Sequence, residues 1–167
     1  AEYVILGLMP ALAEIGIDST LLCLDNQHLR EQPLYAKATQ LQLPAERVPC
    51  RGRFDLATVQ ALRRAIASVD QPVVHVHDYK SALHAWLARG NRPVPIVITA
   101  HGQFSFTTAL QFYHRIELQL MRRFDCVCTV SAQMRPQLEK AGVPRAHIRL
   151  IENGIDTHRF TPHVPSL

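Results

Sequence analysis

The sequence predicts an α/β fold in which a doubly wound parallel sheet carries helices on both faces. Three observations lead there. Short runs rich in apolar and β-branched residues recur along the chain: "STLLCL", "VVHVH", "PIVITA", "CVCTV" and "IRLIEN". Most of these runs are continuous rather than alternating, as in strands buried on both faces. Helical patterns lie between them, and strand–helix alternation is the signature of a parallel sheet. Composition permits this architecture, because 167 residues with 47% hydrophobic and 19% charged side chains suffice for one domain with a core of its own.

Taken in order, the first strand is expected over 19–24. The region 25–53 is irregular, with one short strand near Arg47 and Val48. A helix is predicted over 55–69 with Asp55 as its amino cap, then a strand over 73–77. The next helix, about 81–89, has Ser81 as its expected cap and leads to a strand over 95–100. A long helix over about 106–124 precedes the strand at 126–130. The last helix, 132–141, is closed by Gly142 and Pro144 before a strand over 148–153. There is no internal repeat and no low-complexity tract.

Charge and composition narrow the function. The net charge of +4 and pI near 9.1 come from scattered Lys and Arg with only short pairs such as Arg63-Arg64 and Arg122-Arg123. That distribution disfavours nucleic acid and fits an anionic small ligand. No apolar run approaches the length of a membrane span and nothing resembles a signal peptide, so a cytosolic protein is expected. The four cysteines require no disulfide framework. Cys126 and Cys128 fall on one face of a strand and read as buried side chains, Cys23 ends an apolar run, and Cys50 sits in the polar segment "PCRGR".

Chemistry gathers at strand ends. Ligands of open parallel sheets bind beyond the carboxyl ends of the strands. His77-Asp78, His101-Gly102, Ser131 and Asn153-Gly154 all fall there. The edge they line, with helix amino ends nearby, is the candidate site for a polar ligand. "HVHD" also has the His-x-His pattern of barrel metallohydrolases, but such barrels need about 250 residues. Neither Gly-x-Gly-x-x-Gly nor a Walker-type lysine is present, which leaves a kinase or dinucleotide oxidoreductase unsupported.

Five segments in order, "VVHVHD", "VITAHG", "RIELQLMRRFDCVCTVS", "MRPQLEKAGVP" and "IRLIENGIDTHRF", resemble the amino-terminal domain of the family-4 retaining glycosyltransferases, which have the GT-B fold. "AEYVILGLMPALAEIGIDSTLLCL" resembles that family's first helix and second strand. The resemblance implies one Rossmann-like half of a GT-B fold over 1–167 that lacks its first strand, with 153–167 leading into an absent second domain. It implies transfer of a sugar from a nucleotide diphosphate sugar to an acceptor with retention of configuration, the donor being held mainly by the second domain. The acceptor would be a sugar or a lipid-linked sugar, and the parent enzyme would be cytoplasmic or peripheral at the inner face of the membrane. No metal or cofactor is implied.

By the same resemblance His101 orients the transferred sugar, Gly102 lets backbone approach the ligand, and Asp78 and Arg115 face the acceptor. Ser131, Asn153 and Gly154 complete the expected substrate-binding set. The chain by itself is expected to be inactive. Plainer roles stand beside these: His75 as a hydrogen-bonded core histidine, Arg115 as a solvated residue or an ion-pair partner of Glu117, Ser131 as a helix cap. The alternative function is a non-catalytic binding or interaction module that uses the same fold. The same truncation predicts a parallel sheet of five or six strands with an irregularity or gap between "STLLCL" and "VVHVH".

Overall fold

The structure is a computed structural model of the 167-residue chain, and it describes residues 2–26, 32–101 and 108–154. Six strands and six α-helices occur among them: α1 (Glu2–Glu14), β1 (Leu21–Asn26), α2 (Pro33–Gln40), β2 (Ala45–Cys50), α3 (Leu56–Ala67), β3 (Val74–Val76), α4 (Tyr79–Arg89), β4 (Ile96–Ala100), α5 (Thr108–Met121), β5 (Cys126–Thr129), α6 (Arg135–Lys140) and β6 (Ile148–Leu150). All strand pairs are parallel. Strands β1 and β2 form one sheet, and β3-β4-β5-β6 form a second in sequence order. No ladder joins β1 to β3 among the described residues, so the expected gap is present.

Strand β2 is longer than its sequence expectation, and the other strands are shorter than or offset from theirs. The irregular region holds α2 and a full strand at β2, which the apolar pattern understated because β2 reads "AERVPC" with only half its positions apolar. The last helix begins as a 3-10 turn over Ala132–Met134 before α6, and Gly142, with φ 88°, ends it as expected. Strand β6 stops at Leu150. The amide of Ile151 still bonds the Thr129 carbonyl at 2.9 Å, but Asn153 and Gly154 lie beyond the ladder.

The strand register assigns two chemically different faces to the four-stranded sheet. Val76, Ile96, Ile98, Ala100, Val127 and Ile148 pack with Ala82 and Ala85 of α4, Leu120 and Met121 of α5, Phe124, and Leu138 of α6. This is the main core. The opposite face carries His75, Thr99, Cys126 and Cys128, followed beyond the strand ends by His77 and His101. A second apolar cluster of Val48, Val59, Leu62, Ile66, Ala88 and Val94, with Leu22, Leu24 and Val74 against it, ties the small sheet to the large one through α3 and α4.

Two expectations fail at single residues, and a third residue is buried although its segment is polar. The cap of α4 is Asp78, not Ser81: the Asp78 carboxylate accepts from the Ser81 amide at 2.8 Å, and the Ser81 hydroxyl reaches back toward the Asp78 backbone. The reciprocal pair is a capping box, and an acidic side chain at the cap also meets the helix dipole. His75 is hydrogen-bonded but not in the core. Its ring is partly covered by His77 and by the Thr99 hydroxyl 2.8 Å from its Nε2, yet β3 is an edge strand and the rest of the residue stays exposed. Cys50, expected in a polar segment, is fully buried as the last residue of β2.

Candidate functional site

Strand β3 ends at Val76 and β4 at Ala100, so the next residues on the polar face, His77 and His101, emerge side by side at the carboxyl edge of the sheet. His77 Nδ1 lies 3.3 Å from His101 Nε2, and the rings stack with centroids 5.6 Å apart. Behind them the His75 ring sits 4.3 Å from that of His77. Three imidazoles therefore form one row ending at His101.

Loss of solvent around the rings fixes their protonation. His77 has its pKa lowered to about 3, first by desolvation and then by repulsion from protonated His75 and His101. Desolvation also lowers the pKa of His101 and of His75, where the charge of His101 adds to it. The row is neutral at pH 7, and the short contact between His77 and His101 is a bond between a donor on one ring and an acceptor on the other. His101 Nδ1 makes no hydrogen bond among the described residues.

The remaining expected residues are placed with differing engagement. Asp78 follows His77 directly; one carboxylate oxygen serves the cap of α4, and the exposed second oxygen has no hydrogen bond among the described residues. Ser131 accepts from the Gln133 amide at 3.2 Å, the capping duty that its position after β5 suggested. Arg115 is exposed on α5 and makes no ion pair among the described residues, because Glu117 pairs instead with His114 at 3.6 Å. Asn153 and Gly154 are exposed, and Gly102 lies outside the described residues.

Three neighbours, Arg53, Tyr79 and Tyr113, escaped sequence reasoning, and Glu117 was foreseen only as an ion-pair partner of Arg115. Glu117 is largely buried, which raises its pKa; His114 opposes that rise, and the negative charge of Asp78 adds to it. Tyr79, the first residue of α4, stacks on Tyr113 of α5 with centroids 4.7 Å apart, and Arg53 donates to the Tyr113 hydroxyl. These residues lie on three elements far apart in sequence and carry no motif. Packing of α4 against α5 brings Tyr79 onto Tyr113, and Arg53 reaches Tyr113 from the loop after β2.

A model of the family described as Glycosyltransferase Family 4 matches residues 1–159. The chain belongs to glycosyltransferase family 4. No curated protein matches this chain. Three similar solved structures are of Anabaena Alr3699/HepE. The complex with UDP and glucose has 18% identity and a TM-score of 0.66, covering 86% of this chain and 47% of that one. The complex with UDP-glucose has 17% identity and a TM-score of 0.62, with 86% and 46% covered. The UDP complex has 16% identity and a TM-score of 0.62, with 86% and 47% covered. The chain thus spans about half the length of these structures, and its fold is the Rossmann-like α/β half of a GT-B glycosyltransferase.

Among the described residues no three His, Cys, Asp or Glu side chains come together as a metal site. None of the described helices is long and apolar enough to cross a membrane.

Proposed function

We propose that the family-4 domain forms the acceptor-side half of a retaining glycosyltransferase, which moves a sugar from a nucleotide diphosphate sugar to a sugar or lipid-linked acceptor. The observation that carries this reading is the neutral His77–His101 pair at the carboxyl edge of the sheet. A neutral imidazole held at one nitrogen presents the other to a sugar hydroxyl without charge, which orients the sugar and does not compete with the leaving diphosphate for a cation. The UDP and UDP-glucose held by the HepE structures supply the donor class.

In this reading His101 contacts the transferred sugar, and Asp78, with one oxygen uncommitted, accepts from an acceptor hydroxyl. Arg115, Ser131, Asn153, Gly154 and Gly102, the residue after His101 in sequence, complete the proposed substrate-binding set. The donor diphosphate is held mainly by a second domain, where cationic side chains and helix amino ends stabilise it as it leaves. The enzyme works in the cytoplasm, at the inner membrane face when the acceptor is lipid-linked. No metal takes part.

His101→Ala tests the reading in the longest polypeptide that carries this domain, assayed against a panel of nucleotide sugars. Turnover is expected to fall at least about tenfold, on the order of 1.4 kcal/mol of transition-state stabilisation. The melting temperature should be unchanged, and the anomeric proton coupling of the product should report the configuration of the donor. Wild-type turnover in folded His101→Ala removes the role. No transfer from any donor by the unsubstituted protein favours a binding module instead.

A further inference from the structure

We infer that Arg53, Tyr113 and Tyr79 form an oxyanion subsite for the acceptor, taking a carboxylate or a phosphoryl group attached to a sugar. This rests on the acceptor-side reading and adds a chemical class to it. Arg53 stands three residues past the end of β2, Tyr79 opens α4 next to Asp78, and Tyr113 projects from α5. All three therefore sit at the edge that carries His77 and His101.

Among the described residues the guanidinium is held in place without an ion pair. Its carbon lies 4.7 Å from the centre of the Tyr113 ring, one of its N–H groups donates to the Tyr113 hydroxyl, and Tyr79 backs that ring at 4.7 Å. Among the described residues Arg53 has no ion pair and no second hydrogen-bond acceptor. The acidic residue nearest in sequence, Asp55, is already engaged: its two oxygens accept from the Arg51 and Ala57 amides at 2.9 Å each. A planar fork, exposed, held against an aromatic wall and without a counter-ion among the described residues, has little rotamer entropy left to lose, and its geometry matches two oxygens of a carboxylate or phosphate. The adjoining Asp78 and His101 would take hydroxyls, so the ligand class is a sugar acid or sugar phosphate rather than a bare anion.

The test is a titration of the isotope-labelled protein, followed through arginine Nε–H and tyrosine ring signals, with glucuronate, glucose 1-phosphate, methyl glucoside and inorganic phosphate. Saturable shifts at Arg53, Tyr79 and Tyr113 are expected with glucuronate or glucose 1-phosphate, and whichever saturates at lower concentration identifies the anion. Arg53→Gln should weaken that binding at least about tenfold, while Arg51→Gln, two residues away, stays within about twofold. Tyr113→Phe, which keeps the ring but frees the fork, should also weaken it.

Equal binding of methyl glucoside, equal affinity for inorganic phosphate, shifts spread evenly over Arg51, Arg63 and Arg64, or unaltered binding by folded Arg53→Gln would each overturn the subsite. If transfer is observed and no oxyanion binds here, the subsite alone is wrong. If the oxyanion sugar binds here and the His101 series shows no transfer, the glycosyltransferase reading falls and the subsite stands.

Discussion

His84 shows how far a single residue's role can lie from its sequence context. The side chain is fully buried in α4, with Nδ1 donating to the Lys80 carbonyl at 2.7 Å and Nε2 accepting from the Asp55 amide at 3.1 Å. Those partners fix the tautomer and tie α4 to the start of α3. Nothing in "SALHAW" signals this, because the partner amide is 29 residues away. His84→Ala leaves an amide unpaired beside a cavity and should destabilise the protein by about 2–4 kcal/mol in urea unfolding; a loss below about 1 kcal/mol would mean that water replaces the ring. His77 makes a different prediction. Its folded pKa of about 3 lies below the ordinary 6.5, so between those values the unfolded chain binds a proton that the native protein does not. Stability is complete above pH 6.5 and falls as pH drops toward 3, at up to about 1.4 kcal/mol per pH unit for one proton. His75 and His101, shifted in the same direction, add to the fall. Urea midpoints at neutral pH and in mild acid should differ less in His77→Gln than in the parent, and equal differences would place the acid sensitivity elsewhere. By contrast, His101 was legible as a strand-end histidine, because strand periodicity alone brings it to the edge.

At the scale of the element, order and type were readable outside residues 25–53, where α2 was missed, and the ends were not. Strand-like runs and helical spacing identify β1 and β3 to β6 because burial selects side chains there. Strand β2 was seen only as a fragment, since its exposed positions carry Glu46 and Pro49. The start of α4 shows why ends are hard: Asp78 and Ser81 are both good caps, and only the reciprocal bonding decides between them. That cap also separates structure from function at a proposed acceptor residue. Asp78→Ala should cost about 1 kcal/mol through loss of the cap. Asp78→Asn keeps an oxygen for the Ser81 amide and should hold stability within about 0.5 kcal/mol. If the Asp78→Asn variant nevertheless raises KM for the acceptor, the uncommitted oxygen of Asp78 is a substrate contact; if only the alanine variant changes KM, the effect comes from the helix.

At the scale of the molecule the two sheets meet without a ladder. Among the described residues β1 pairs with β2 and β3 with β4, so backbone groups on the facing edges of β1 and β3 find no strand partner. What joins the sheets is side-chain packing, in which Leu22, Leu24 and Val74 lie against the cluster centred on Val59, Leu62 and Ile66. Apolar packing holds position but lacks the cooperativity of a shared ladder, so the small sheet should open at lower free energy than the large one. Native-state hydrogen exchange at rising denaturant tests this. Amides of β1 and β2 should exchange through a sub-global opening, while those of Ile98 and Val127, in the buried centre of the large sheet, should exchange only on global unfolding. Ile66→Ala removes packing at the joint and should cost about 2–4 kcal/mol. Its effect should be larger on β1 and β2 amides than on Ile98 and Val127. Equal protection of both sheets, reduced equally by Ile66→Ala, would show that the domain unfolds as one unit and that the break between its sheets has no energetic consequence.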